Sequence, residues 1–112
     1  MKLQDLQWRS VPMPGASGPV EVAELPPGAD GAFRAYVRFP PGWSRPGPGH
    51  YAVAEEVQLL EGDLHMNGQS WQAGDRFSIP AARTRRDTHS KGGCLALACF
   101  AGEPRWIPGG NT

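Results

Sequence analysis

The stretch EEVQLLEGDLHMNGQSWQ, residues 55–72, decides the architecture. Asn67-Gly68 is the strongest two-residue hairpin signal in the chain. A type I′ turn needs positive φ at both central residues, and Asn and Gly reach that region at least cost. The turn joins Asp63–Met66 to Gln69–Gln72, while Glu55–Leu60 reads as the strand before them and Gly62-Asp63 opens the segment through Met66. Working outward, Ala73-Gly74-Asp75 is a second turn, followed by the strand Arg76–Ile79 and Pro80. Upstream, FRAYVRF (33–39) places Phe33, Ala35, Val37 and Phe39 on one face and Arg34, Tyr36 and Arg38 on the other, the pattern of a half-buried strand. Val20–Leu25 is a short strand closed by Pro26-Pro27-Gly28, and Pro40 to Gly49 is a stiff, proline-rich loop. Cys94–Phe100 is apolar on both faces, as a strand buried on both sides would be. No segment shows a helical period. Short strands separated by turn residues at roughly 8–12-residue spacing imply a β-sandwich or closed barrel.

The chain of 112 residues is long enough for one domain with one core. Its 15 glycines and 12 prolines approach a disordered composition, but they cluster between cleanly alternating apolar segments. Residues 1–19 read as an extended N-terminal arm and 20–112 as the barrel. Lys+Arg and Asp+Glu both number 11, and that balance argues against nucleic acid or an anionic membrane as partner. A small molecule is the expected ligand. The longest near-continuous apolar run, Cys94–Ala101, falls far short of a membrane span, and the N-terminus has no apolar stretch resembling a signal peptide. A soluble, cytoplasmic protein is expected. Cys94 and Cys99 stand an odd number of residues apart on one strand, hence on opposite faces, and two free thiols suit a reducing compartment.

Residues 42–62 and 74–94 resemble the two motifs of the cupin superfamily (RmlC-like). In the first, Gly42 is followed by five residues, then Pro48-Gly49-His50, four residues, Glu55, six residues and Gly62, where the family has G-x5-HxH-x3,4-E-x6-G. The string EEVQLLEG (55–62) is similar to that of the acetylacetone dioxygenases and the cupin domain of anti-sigma factors. In the second motif Gly74 and Pro80 match, Ala82 replaces a glycine, Arg85 replaces the histidine, and His89 takes the final asparagine position. The continuation Ser90-Lys-Gly-Gly93-Cys94 resembles the S-x-x-G-C of the anti-sigma-factor-like subset. The resemblance implies an all-β, double-stranded β-helix (a cupin or jelly-roll-like barrel) in one domain, and a homodimer. It also implies one divalent metal held by three histidines and a glutamate. Here Pro48 and Arg85 occupy two of those positions, so only His50 and Glu55 carry over. One divalent ion (Fe, Zn or Mn), weakly bound or absent, is the cofactor expectation.

Each candidate residue has a plain reading and a functional one. His50 and Glu55 are either relics or ligands at a barrel mouth, and a buried carboxylate needs a partner or a raised pKa. His89 is either a loop histidine facing solvent or a third metal ligand completing His50 and Glu55, with Asp87 orienting its ring. Arg83, Arg85 and Arg86 form a cationic cluster. Arg85 inherits an inward position, where its fork would hold Glu55 in an ion pair or bind an anionic substrate. His65 reads as a surface histidine, and Tyr51, Phe77 and Trp71 line a pocket or fill the core.

Two functions follow. One is a metal-dependent small-molecule enzyme, an oxygenase or related lyase or isomerase, with Glu55 and Arg85 catalytic and Tyr51, Arg85 and Phe77 binding substrate. His50, Glu55 and His89 would be its metal ligands. The other is a non-catalytic, metal-free cupin that binds a small anionic metabolite through Arg85.

Overall fold

The computed structural model describes residues 5–109. Among the described residues there are eleven strands: β1 (Arg9–Val11), β2 (Val20–Glu24), β3 (Phe33–Phe39), β4 (Ser44–Arg45), β5 (Gly49–Tyr51), β6 (Glu55–Met66), β7 (Gln69–Gln72), β8 (Arg76–Ile79), β9 (Thr88–His89), β10 (Cys94–Phe100) and β11 (Trp106–Pro108). Ala29–Gly31 forms a 3-10 turn. Nine strands form one curled sheet in the order β1-β2-β3-β10-β6-β9-β4, with β7 and β8 also paired to β6, and β11 pairs with β5 separately. Every pairing between these strands is antiparallel. The fold class expected from alternation and turn residues is the one observed.

Strand β10 is central in the sheet, pairing with β3 on one edge and β6 on the other, but it is not buried on both faces as its apolar run suggests. Cys94, Ala96, Ala98 and Phe100 are buried, whereas Leu97 is only half-buried and faces outward beside Gln58 and Arg76. On β3, Ala35 is fully buried and Phe33, Val37 and Phe39 pack inward with it. Arg38, on the outer face, pairs with Glu21 at 3.8 Å and stacks over Trp8.

The two segments expected at 55–60 and 62–66 are one continuous strand, β6, whose ends serve different neighbours: β8 along its first half and β7 and β9 along its second. Gly62 makes this possible. Its φ is 82°, and a Cβ there would overlap the Gly93 carbonyl. The Asn67-Gly68 turn forms as expected, with φ of 54° and 77°. The loop Pro40–Gly49 departs from expectation by contributing β4, which pairs with β9, and by burying Trp43 to 2% exposure. The Trp43 indole N–H donates to the Gly18 carbonyl at 2.9 Å, so the residues before β2 are fastened to this loop.

The core has two centres. One gathers Val57, Leu59, Leu64, Cys94 and Ala96; the other gathers Val20, Val22, Ala35 and Trp43. Members of both line a cavity of about 370 Å³ that lies between them inside the curled sheet.

Candidate functional site

The cavity wall is overwhelmingly apolar, with Val20, Val37, Leu64 and Ile79 among its lining side chains. The acidic and basic side chains on it are Glu55, Arg85, Arg45 and the more exposed Arg9, which pairs with Glu24 at 3.6 Å. Glu55 opens β6 on an inward position. Arg85 comes from the loop between β8 and β9, held against β5 by reciprocal backbone bonds with Gly49, of 2.8 Å from Arg85 N and 3.2 Å from Gly49 N. Asn67 brackets the same loop from the other side. Its side-chain amide donates to the Thr84 carbonyl at 3.0 Å, and its side-chain oxygen accepts from the Arg86 N–H at 2.7 Å. The hairpin residue therefore also positions Arg85.

Arg85 Nη1 donates to Glu55 Oε1 at 2.6 Å, and both side chains are over nine-tenths buried. The ion pair with Glu55, one of the two roles open to Arg85 in the sequence, is formed. Burial pushes the Glu55 carboxyl above its ordinary value, against the opposing charge and hydrogen bond of Arg85 and the charge of Arg45. The Arg85 guanidinium also lies 4.8 Å from the centre of the Tyr51 ring. Tyr51 packs edge-on against Phe100 and Trp106, so its orientation is fixed from three sides. Phe77 reaches the cavity too, stacked on Trp71 at 3.9 Å. Glu55, Arg85, Tyr51 and Phe77 are thus brought onto one surface.

His50 and His89 are not brought there. His50 alternates with Tyr51 on β5 and so faces away from the cavity, opposite Ile107 on β11. Its Nδ1 is buried without a hydrogen-bond partner among the described residues. His89 stacks on His65 with ring centres 4.6 Å apart at 10°, on a separate surface cleft. The expected help from Asp87 comes from its backbone: His89 Nδ1 donates to the Asp87 carbonyl at 2.8 Å. The same face carries a chain of hydrogen bonds from Ser70 through His65 to Asp63, of 2.8 and 2.7 Å.

The fold family's divalent metal does not fit these residues. No three His, Cys, Asp or Glu side chains converge among the described residues, and the one retained carboxylate is already occupied by a guanidinium. The set His50, Glu55 and His89 is dispersed because strand alternation turns His50 outward and the β4–β9–β6 pairing carries His89 to the outer cleft. Ala82, at the family's glycine position, has φ of 64°, the left-handed region that explains why the motif uses glycine there.

Sequence reasoning missed Arg45, Trp43 and Trp106. Arg45 is 4% exposed on β4. Its Nε donates to the Pro14 carbonyl at 3.1 Å, its Nη1 to the Tyr51 hydroxyl at 3.3 Å, and its guanidinium lies 3.9 Å from the Trp106 ring centre. Gly49 makes room for that ring, since a Cβ there would overlap the Trp106 indole. Large aromatics inside proline-rich segments were the available signal, because such side chains seldom stay in water without reason.

No protein-family model matches the chain, and no curated protein matches it. Solved structures do. The acetylacetone dioxygenase of Acinetobacter johnsonii superposes with a TM-score of 0.79 at 17% identity, over 96% of this chain and 76% of that one. The polyketide cyclase RemF of Streptomyces resistomycificus gives 0.77 at 18% identity, over 100% and 85%. The complex of Rhodobacter sphaeroides SigE with the anti-sigma ChrR gives 0.71 at 24% identity, over 88% and 51%. The chain has the cupin fold. Among the described residues no helix is long and apolar enough to cross a membrane.

Proposed function

We propose that this chain is a metal-independent cupin that holds a small anionic molecule inside its barrel, with Arg85 standing where the second cupin motif has a metal-binding histidine. The observation that carries the reading is the 2.6 Å Arg85–Glu55 contact on the cavity wall. A guanidinium supplies fixed positive charge at the second motif's histidine position, and the carboxylate retained from the first motif neutralises it in part. The cavity, about 370 Å³ and apolar, matches the size and character of small-molecule sites.

A second reading takes its support from Glu55. A carboxyl raised by burial beside a permanent cation suits proton transfer to or from a bound carbonyl compound. The dioxygenase and cyclase among the fold relatives agree with a small-molecule enzyme at that coarse level. Under either reading no step passes through a metal.

The test is elemental analysis of protein expressed with excess iron, zinc and manganese. The expected content is well below one ion per chain, unchanged by Glu55→Gln. One tightly held ion per chain, lost in Glu55→Gln or His50→Ala, would return the protein to the metal-dependent enzymes. Solvent-proton exchange into bound ketones, lost in Glu55→Gln, separates catalyst from binder.

A further inference from the structure

Resting on the barrel-site reading above, we propose that Arg45 and Arg85 together form a carboxylate clamp, so that the molecule bound is a small monocarboxylic acid with an apolar body. Two buried donors carry the argument. Arg45 Nη2 and Arg85 Nε lie in the protein interior without a hydrogen-bond partner among the described residues, and both residues line the cavity. Each of these residues is more than nine-tenths buried. Unmet buried donors on a permanent cation are costly, and such atoms in a folded protein call for an acceptor.

Charge leads to the same chemistry. Against one carboxylate the cavity wall sets Arg45, Arg85 and the more exposed Arg9, and Arg9 is neutralised outside by Glu24. The interior therefore keeps a positive excess whether Glu55 is ionised or protonated. One bound monoanion balances it when Glu55 is ionised.

Both guanidiniums rest against one side chain. Arg45 reaches the Tyr51 hydroxyl, and Arg85 lies over the Tyr51 ring. A planar group with two oxygens can then take one donor from each, the geometry in which guanidinium recognises carboxylate. The remaining wall offers no comparable partners for a heavily charged ligand such as phosphate, and its apolar side chains suit an alkyl or aryl body. Arg45 is held ready for this role by the Pro14 carbonyl and the Trp106 face, which occupy its other surfaces.

The experiment titrates the protein, by calorimetry and ligand-observed NMR, with hexanoate, benzoate and phenylacetate, their uncharged amides, and inorganic phosphate. At least one carboxylate should bind tenfold or more tightly than its amide and than phosphate. Arg45→Gln should lower that carboxylate's affinity at least tenfold and the affinity of its uncharged amide by a much smaller factor, and Arg45→Lys should fall between. The wild-type comparison of acid with amide needs no variant, so a misfolded substitution does not remove the test. Amides that bind as well as the acids overturn the clamp, as does phosphate that equals them. If Arg85→Gln abolishes binding and a folded Arg45→Gln does not, the clamp falls and the Arg85 site stands. Stoichiometric metal in the barrel overturns both.

Discussion

Glu55 and Asp63 stand on the same strand, β6, yet their carboxyls are displaced in opposite directions. Burial raises Glu55, even beside Arg85. Asp63 is lowered to about 2, chiefly because its oxygens accept the backbone N–H groups of Lys91 and Gly92 at 2.9 Å each, with His65 adding a further bond at 2.7 Å. One carboxylate is in an apolar cavity and faces a single side-chain donor. The other is partly in water and is cradled by main chain. What separates them is surroundings rather than residue type: desolvation dominates inside the sheet and hydrogen bonding dominates at its edge. The inner carboxylate therefore depends on one buried counter-charge, while the outer one is held by the chain's own backbone donors.

The comparison is broken most directly by removing Arg85. Arg85→Ala leaves Glu55 buried without its nearest counter-charge and should cost on the order of 3–5 kcal/mol in urea unfolding. A double variant, Arg85→Met with Glu55→Leu, should recover most of that loss, since apolar replacement of a buried pair is commonly neutral or better. A loss in Arg85→Ala below about 1 kcal/mol would mean that the pair behaves as an exposed one.

The apolar counterpart of the same contrast lies across β6 and β10. Leu59 is 0% exposed within a core cluster, and Leu59→Ala should cost about 2–5 kcal/mol. The sequence suggests an equal cost for Leu97, which sits in an unbroken apolar run. The structure turns it to the outer face, half-buried, so Leu97→Ala should cost nearer 1 kcal/mol by the same unfolding measurement. Equal losses at the two positions would mean that the outer face of β10 is covered in solution.

These residues also show what could be read in advance. The longer strands β2, β3, β6, β7, β8 and β10 were legible because alternation and the Asn67-Gly68 turn are local properties, written over a few residues, whereas the two- and three-residue strands β1, β4, β5, β9 and β11 were not. Glu55 and Arg85 were legible as inward positions because motif spacing fixes them relative to glycines that the backbone requires, Gly62 above all. His89 was not, because β9 is two residues long and its direction depends on pairing with β4 and β6, far away in sequence. Arg45 was hidden for a similar reason. A single arginine between prolines reads as solvated, and only the return of Pro14 and Trp106 to the same place buries it.

The smallest expected effect tests the outer carboxylate, and its sign follows from the direction of the shift. Asp63 titrates near 2 in the folded protein against 3.8 for the free side chain, so between those values the unfolded chain binds more protons. Its contribution is therefore fully present above about pH 4 and is lost as pH falls towards 2. Asp63→Asn should cost roughly 1.5–2 kcal/mol at pH 6, the lower part of the range for hydrogen bonds to a charged group, because the side chain is partly exposed. The gap between wild type and Asp63→Asn should then narrow as urea midpoints are measured at pH 5, 3.5 and 2.5. Glu55 has the opposite sign. A carboxyl raised on folding is disfavoured as pH rises through its folded value, so it adds nothing to the acid loss. If the Asp63→Asn gap is constant from pH 5 to 2.5, the ionised carboxylate is not what holds Lys91 and Gly92, and the opposition between the two ends of β6 disappears.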